Sequence, residues 1–196
     1  MSSTRNHTKL SADAARKTVL EKLKNLSPEL REQLSQQICR RTIEALDGQG
    51  IKSIALYRPL RSEVDLSLLE SHFHKTGARL CYPRVMGTSD FCHVPSPSDA
   101  ASWLRSSLGI EEPAAHHETV NADSIDCIVI PGLAFGLHGE RVGRGKGHYD
   151  RLLAGVSHPL RVVLAFDFQL FDALEQNAWD QPVHWIMTEK RELKLR

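Results

Sequence analysis

Residues 128–151, IVIPGLAFGLHGERVGRGKGHYDR, hold the side chains most able to do chemistry in this sequence. Arg141, Arg144 and Lys146 are set among Gly132, Gly136, Gly139, Gly143 and Gly145, with Gly147 at the doorway of a helix that carries Asp150. An apolar strand, a loop of glycines and cations, then a helix is the build of an anion site. The glycines let backbone N–H groups point inward, and the helix N-terminus adds partial positive charge. The spacing is not that of a Walker A loop. The glycine required five places before Gly145 falls on Glu140, and Gly147 stands where Ser or Thr is needed. Nor is it the dinucleotide fingerprint: Gly143 and Gly145 are correctly spaced, but the third glycine position is His148.

The elements that must position this loop follow from periodicity and punctuation. Ser11 caps a helix to about residue 24 with Ala12, Ala15, Val19 and Leu23 as its apolar stripe and Arg16, Lys17, Lys22 and Lys24 on the polar side. Ser27-Pro28 opens a second helix with Leu30, Leu34, Ile38 and Ala45 along one side and Gly48 as its stop. A strand at 51–57 leads to a helix capped by Asp65, with Leu66, Leu69 and Phe73 inward and Gly77 closing it. Further strands fall at 78–82, 91–94, 126–131, 161–166 and 183–187. Trp103, Leu104 and Leu108 suggest a short packed turn or helix, and 148–156 the helix after the loop. Short Val/Ile/Leu-rich strands alternating with helical patterns predict an α/β fold with a mainly parallel sheet. Ligands of such sheets sit beyond the C-terminal strand ends. Four features fall there: 58–65, Pro83-Arg84, 132–147 and 167–169.

Composition narrows the function classes. At 196 residues one domain is expected, with residues 1–10 a frayed polar tail. The net charge of +1, from 25 basic and 24 acidic residues, gives no global reason to expect nucleic acid or an anionic membrane, so anion binding must come from local clustering. No cysteine pair has C-x-x-C spacing, and the opening MSSTRNHTKL has no apolar core, so a reducing, cytoplasmic setting is the expectation. His72/His74 and His116/His117 lack the i, i+4 spacing of a helical metal site.

VIPGLAF followed by G-x-R-x-G-R-G-K-G-x-Y-D-R resembles the signature of the 5-formyltetrahydrofolate cyclo-ligase (5,10-methenyltetrahydrofolate synthetase) family, and weaker matches extend the resemblance over about 16–189. It implies a three-layer, single-domain α/β fold of the NagB/RpiA/CoA-transferase-like kind, a monomer that converts 5-formyltetrahydrofolate to 5,10-methenyltetrahydrofolate with ATP and Mg²⁺. On this resemblance Lys146 and Arg144 are the catalytic cations. ATP would be held by Arg16, Gly143, Arg144, Gly145, Lys146, Gly147, His148, Tyr149 and Asp150, the metal by Asp150 and Asp180, and the folate by Glu63, Phe135 and Tyr149. Tyr82, Trp103, Phe135 and Tyr149 are the candidate flat walls for pterin or adenine. The γ-phosphoryl group would pass to the formyl oxygen, N10 would attack the activated carbon, and phosphate would leave.

The chain departs from the family pattern at four places. The family lysine one turn before Arg16 falls on Ala12, with Lys9 and Lys17 as its nearest replacements. Gly136 stands for a common aspartate, His148 for an aromatic, and Trp179 for a histidine. Two other readings use the same loop: a sugar-phosphate isomerase or CoA-transferase relative with no need of a metal, and a non-catalytic protein that holds a nucleotide or folate.

Overall fold

The computed structural model describes residues 9–86, 90–97, 102–105, 109–114 and 117–195. Leu108, His116 and residues 1–8 lie outside the described residues. Helix α1 (Ala12–Lys24) starts where Ser11 accepts from the Ala14 N–H at 3.3 Å, and Ala15, Val19 and Leu23 are its buried stripe. Leu10, expected in the frayed tail, is fastened instead: its N–H donates to Ala173 O at 3.1 Å and its carbonyl accepts from Glu175 at 3.0 Å. Helix α2 (Pro28–Leu46) starts at Ser27, which accepts from Leu30 N at 3.2 Å, with proline in the first turn. Leu30 itself is 45 % exposed rather than inward. The buried face begins at Ser35, whose hydroxyl accepts from Asp65 N at 3.0 Å, so a polar contact sets the register of the helix.

Strand β1 (Ser53–Ala55) is followed by α3 (Ser67–Lys75) and β2 (Arg79–Met86). Asp65 does not stand at the N-cap position; its carboxylate accepts from Ser67 N at 2.9 Å one residue outside it. Strand β2 continues four residues beyond the expected end and pairs antiparallel with β3 (Asp90–Pro95). Strand β1 covers only Arg79 to Cys81, so Pro83 sits where β2 is open on one side, a position that tolerates its missing N–H. Trp103 and Leu104 belong to a hairpin, β4 (Trp103–Arg105) against β5 (Glu111–Pro113), not to a packed turn, and Leu104 faces solvent.

The glycine-rich segment holds more structure than its composition suggests. After β6 (Cys127–Val129) the chain forms β7 (Ala134–Gly136) and β8 (Arg141–Val142), an antiparallel pair. The cation-bearing loop is therefore only 143–147, and it joins β8 to α4 (His148–Leu153), which is shorter than expected. Strand β9 (Leu160–Leu164) returns to the main sheet, β10 (Leu170–Phe171) pairs with β7, and β11 (Trp185–Met187) and β12 (Glu192–Lys194) complete it. The main sheet runs β12-β11-β9-β6-β1-β2-β3, parallel from β11 to β2 and antiparallel at both edges. Alternate strand residues face opposite layers. Ile54, Val129 and Val162 pack with α1–α3, while Ala55, Ile128 and Val163 pack with Leu153 of α4 and with Phe135.

His93, on β3, is 1 % exposed, and burial pushes its imidazole down to about 4. A folded value below the unfolded one of about 6.5 means that stability is full above pH 6.5 and is lost as pH falls toward 4. We expect urea denaturation to show wild type losing about 3 kcal/mol more than His93→Leu across that window. Parallel pH dependences in the two proteins would show that His93 is protonated without cost to the fold.

Candidate active site

Strand order reverses between β1 and β6: β1 runs through α3 to β2 on one side, and β6 runs through α4 to β9 on the other. At that switch point, beyond the carboxyl ends of both strands, lies a cleft of about 540 Å³. Tyr57 and Arg58 follow β1, Pro131 and Gly132 follow β6, and Pro83 and Val85 come from β2; all six line it. The Gln169 side chain props up the floor. Its Nε2 donates to Leu133 O at 2.9 Å, and its Oε1 accepts from Phe166 N at 2.8 Å.

Loop 143–147 forms one wall. Gly145 and Gly147 have φ of +92° and +64°, conformations that a Cβ would strain. Arg16 of α1 reaches across to donate from Nε to Gly143 O at 2.9 Å, and its Nη1 pairs with Asp13 at 2.6 Å. Lys146 is exposed on the wall and makes no ion pair among the described residues. Arg144 pairs with Glu63 Oε1 at 3.1 Å. The other Glu63 oxygen accepts from Leu60 N at 2.9 Å, and Arg31 Nη1 donates to Glu63 O at 3.2 Å, so the loop after β1 is pinned from both sides.

Arg141, one of the three cations of the glycine-rich segment and given no ligand role by the family resemblance, holds this wall in shape. Its side chain is only 5 % exposed, and Nη2 pairs with Asp150 Oδ1. Arg141 on β8 and Asp150 on α4 thus clamp the two ends of the cation loop. Asp150 Oδ1 also accepts from Gln181 N at 3.3 Å, which brings the segment of Asp180 alongside. Asp180 Oδ2 closes a turn by accepting from Asn177 N at 2.7 Å. Arg161, buried, donates to Leu153 O at 3.2 Å and Pro182 O at 3.3 Å, fastening the end of α4 to the same segment.

Arg16, Glu63, Gly143, Arg144, Gly145, Lys146, Gly147, His148, Tyr149, Asp150 and Asp180 all line this one cleft. Phe135 does not: it is fully buried in the second core layer, its ring packed so close to Gly132 that a Cβ there would lie 2.6 Å from it. Alternation along β7 turns it inward, away from the ligand space. Tyr82 and Trp103 are also not on the wall. They stack edge to face and hold Arg58, whose guanidinium carbon lies 4.5 Å from one ring centroid and 4.2 Å from the other. Asp167 faces Arg191 and Lys190, and Arg84 donates to Ala114 O and His117 O, so neither reaches the cleft. Lys9 and Lys17 do not line it; Ala12 and Glu175 occupy that stretch of wall. Tyr149 is half-buried. Burial pushes its phenol far up, the Arg141 charge opposing and Glu63 assisting, so it stays a neutral donor. Trp179, 67 % exposed at the rim, is the large aromatic that the sequence reading noted only as a departure.

Among the described residues no group of three or more His, Cys, Asp or Glu side chains forms a metal cage. Asp150 and Asp180 each keep one oxygen without a hydrogen bond to the described residues. Two partly open carboxylates beside cations fit Mg²⁺, which retains water and substrate phosphates rather than an all-protein shell. At Gly136 a neighbouring side chain fills the space that a Cβ would take. The Glu140 carboxylate lies 2.2 Å from where a Cβ on residue 136 would stand, and it accepts from His138 N at 3.1 Å.

A cleft at the switch point of a mainly parallel sheet, walled by Arg16, Arg144 and Lys146, is where α/β enzymes of this build take their ligands. The model of the 5-formyltetrahydrofolate cyclo-ligase family matches residues 8–189, and the chain belongs to that family. It is similar to the solved 5,10-methenyltetrahydrofolate synthetase of Aquifex aeolicus, with 38 % identity, a TM-score of 0.82, and coverage of 94 % of this chain and 93 % of that one. The synthetase structure from Mycoplasma pneumoniae matches at 26 % identity and a TM-score of 0.75, covering 91 % of this chain and 98 % of that one. The 5-formyltetrahydrofolate cyclo-ligase of Mus musculus is 28 % identical over 181 residues, 86 % of this chain and 89 % of the relative.

The Arg141–Asp150 pair gives a structural expectation. Removing one partner of a buried pair leaves an uncompensated charge, so Asp150→Ala should cost about 3 kcal/mol in urea denaturation without any ligand. Asp180→Ala, which loses one turn hydrogen bond, should cost about 1 kcal/mol. Equal losses would show that the pair does not hold the loop.

Proposed function

We propose that this chain converts 5-formyltetrahydrofolate to 5,10-methenyltetrahydrofolate, consuming ATP with Mg²⁺ and releasing ADP and phosphate. The observation that carries the reading is the gathering, in one cleft, of Arg16, Arg144 and Lys146 with Asp150, Asp180 and Glu63, in a chain of the cyclo-ligase family. The formyl group is an amide, so its carbon is a poor electrophile until its oxygen becomes a leaving group. The formyl oxygen takes the γ-phosphoryl group and ADP departs. N10 then attacks the formyl carbon and loses its proton, and phosphate leaves with the C–O bonding pair.

No covalent nucleophile is needed from the protein; alignment and neutralisation of spreading charge are. Lys146, exposed on the loop and without an ion pair among the described residues, meets the transferring phosphoryl group. Arg144 and Arg16 grip the remaining phosphate oxygens, and the loop glycines let backbone N–H groups approach. Asp150 and Asp180 would hold Mg²⁺, which when bound neutralises phosphate oxygens. Glu63 accepts from pterin N–H donors, and Tyr149 offers a ring face and a phenol that remains protonated. We take the unit to be the single domain 1–196, a monomer in the cytoplasm that needs neither nucleic acid nor membrane. Its four free cysteines suit a reducing setting, and no helix among the described residues is long and apolar enough to cross a membrane.

Purified protein with ATP, Mg²⁺ and 5-formyltetrahydrofolate should produce the absorbance of the methenyl product, and only when ATP is present. Binding of either ligand without turnover would favour the non-catalytic reading. Affinity for a sugar phosphate or acyl-CoA alone would favour the isomerase or transferase reading. Lys146→Ala should lower turnover by about a hundred- to a thousandfold with unchanged thermal stability, and wild-type rates would remove the lysine from the mechanism. Asp180→Asn should shift the magnesium titration to higher concentration; an unmoved curve would leave Asp180 a turn residue.

A further inference from the structure

The structure joins two groups that the functional reading assigns to different ligands. Arg144, from the phosphate loop, pairs with Glu63, from the folate side, at 3.1 Å across 81 positions of sequence. Both Glu63 oxygens are occupied, one by Leu60 N at 2.9 Å and the other by Arg144. The two partners are not equally free to move. The Glu63 side chain is 12 % exposed, and its loop is held by Arg31. The Arg144 side chain is 42 % exposed and flanked by Gly143 and Gly145, so the arginine is the part that can swing.

We infer that the Arg144–Glu63 pair is a latch that couples the two half-sites, an inference that rests on the functional reading above. With the cleft empty, each charge satisfies the other. A nucleotide phosphate, with about four negative charges on the triphosphate, outcompetes one partly exposed carboxylate and draws Arg144 away. That frees a Glu63 oxygen for the N–H donors of a pterin. The reverse holds equally, because a pterin on Glu63 releases Arg144 to phosphate. Each ligand therefore raises the affinity of the other by the same factor. The strength of a partly exposed pair sets that factor at no more than about fivefold.

Isothermal titration with Mg²⁺ and a non-hydrolysable ATP analogue, and separately with 5-formyltetrahydrofolate, tests the latch. Wild type should bind folate about two- to fivefold more tightly when saturated with the analogue. Glu63→Gln, measured without folate, should bind the analogue about two- to fivefold more tightly than wild type, since Arg144 has lost its charged partner. Structural damage would not produce such a gain. Arg144→Gln reads the latch from the other side: weaker analogue binding, folate binding without nucleotide no weaker than in wild type, and no mutual effect. If wild type binds both ligands with no mutual effect, or Glu63→Gln gains no affinity for the analogue, the latch is overturned and the functional reading stands. If wild type binds neither ligand, both fall.

Discussion

The buried pair between Arg141 and Asp150 is the constraint on which the site depends. One residue lies on the last strand of the hairpin that leaves the central sheet and the other in the first turn of the next helix, so their contact holds both ends of a five-residue loop. Within that span two glycines at positive φ set the path of the backbone. A short helix of six residues contributes little dipole. The positive character of the wall comes instead from side chains that α1 and the loop itself supply. Arg161 extends the same logic outward, spending its guanidinium on carbonyls of α4 and of the segment that carries Asp180.

The sequence was most informative where a pattern is local. Serine caps, apolar stripes and short β-branched runs gave the order of elements, and the strand-end rule placed the cleft beside 58–65 and 132–147. It was least informative where partners are distant or elements very short. The pair of β7 and β8 is only three and two residues long, too brief for alternation to announce itself among glycines. Phe135, assigned to the folate by the family resemblance, lies in that pair and turns its ring into the core. The Glu63–Arg144 and Ser35–Asp65 contacts span 81 and 30 positions and have no local signature at all.

Charge in the cleft is arranged as a set of exchanges. Arg16 leans on Asp13, Arg141 on Asp150 and Arg144 on Glu63, leaving Lys146 without an ion pair among the described residues. A protein with a net charge of +1 thus gathers cations on one cleft wall. The cations differ in purpose according to burial. Arg141 is enclosed and holds shape, whereas Arg144 and Lys146 are open to solvent and can follow a ligand.

The Glu140 carboxylate, folded over Gly136, ties two loop positions to each other. Any side chain at 136 must first displace an acid that already fills its space. Glu140 would have to swing aside and give up its hydrogen bond from His138 N, so a substitution at 136 is felt first at 140.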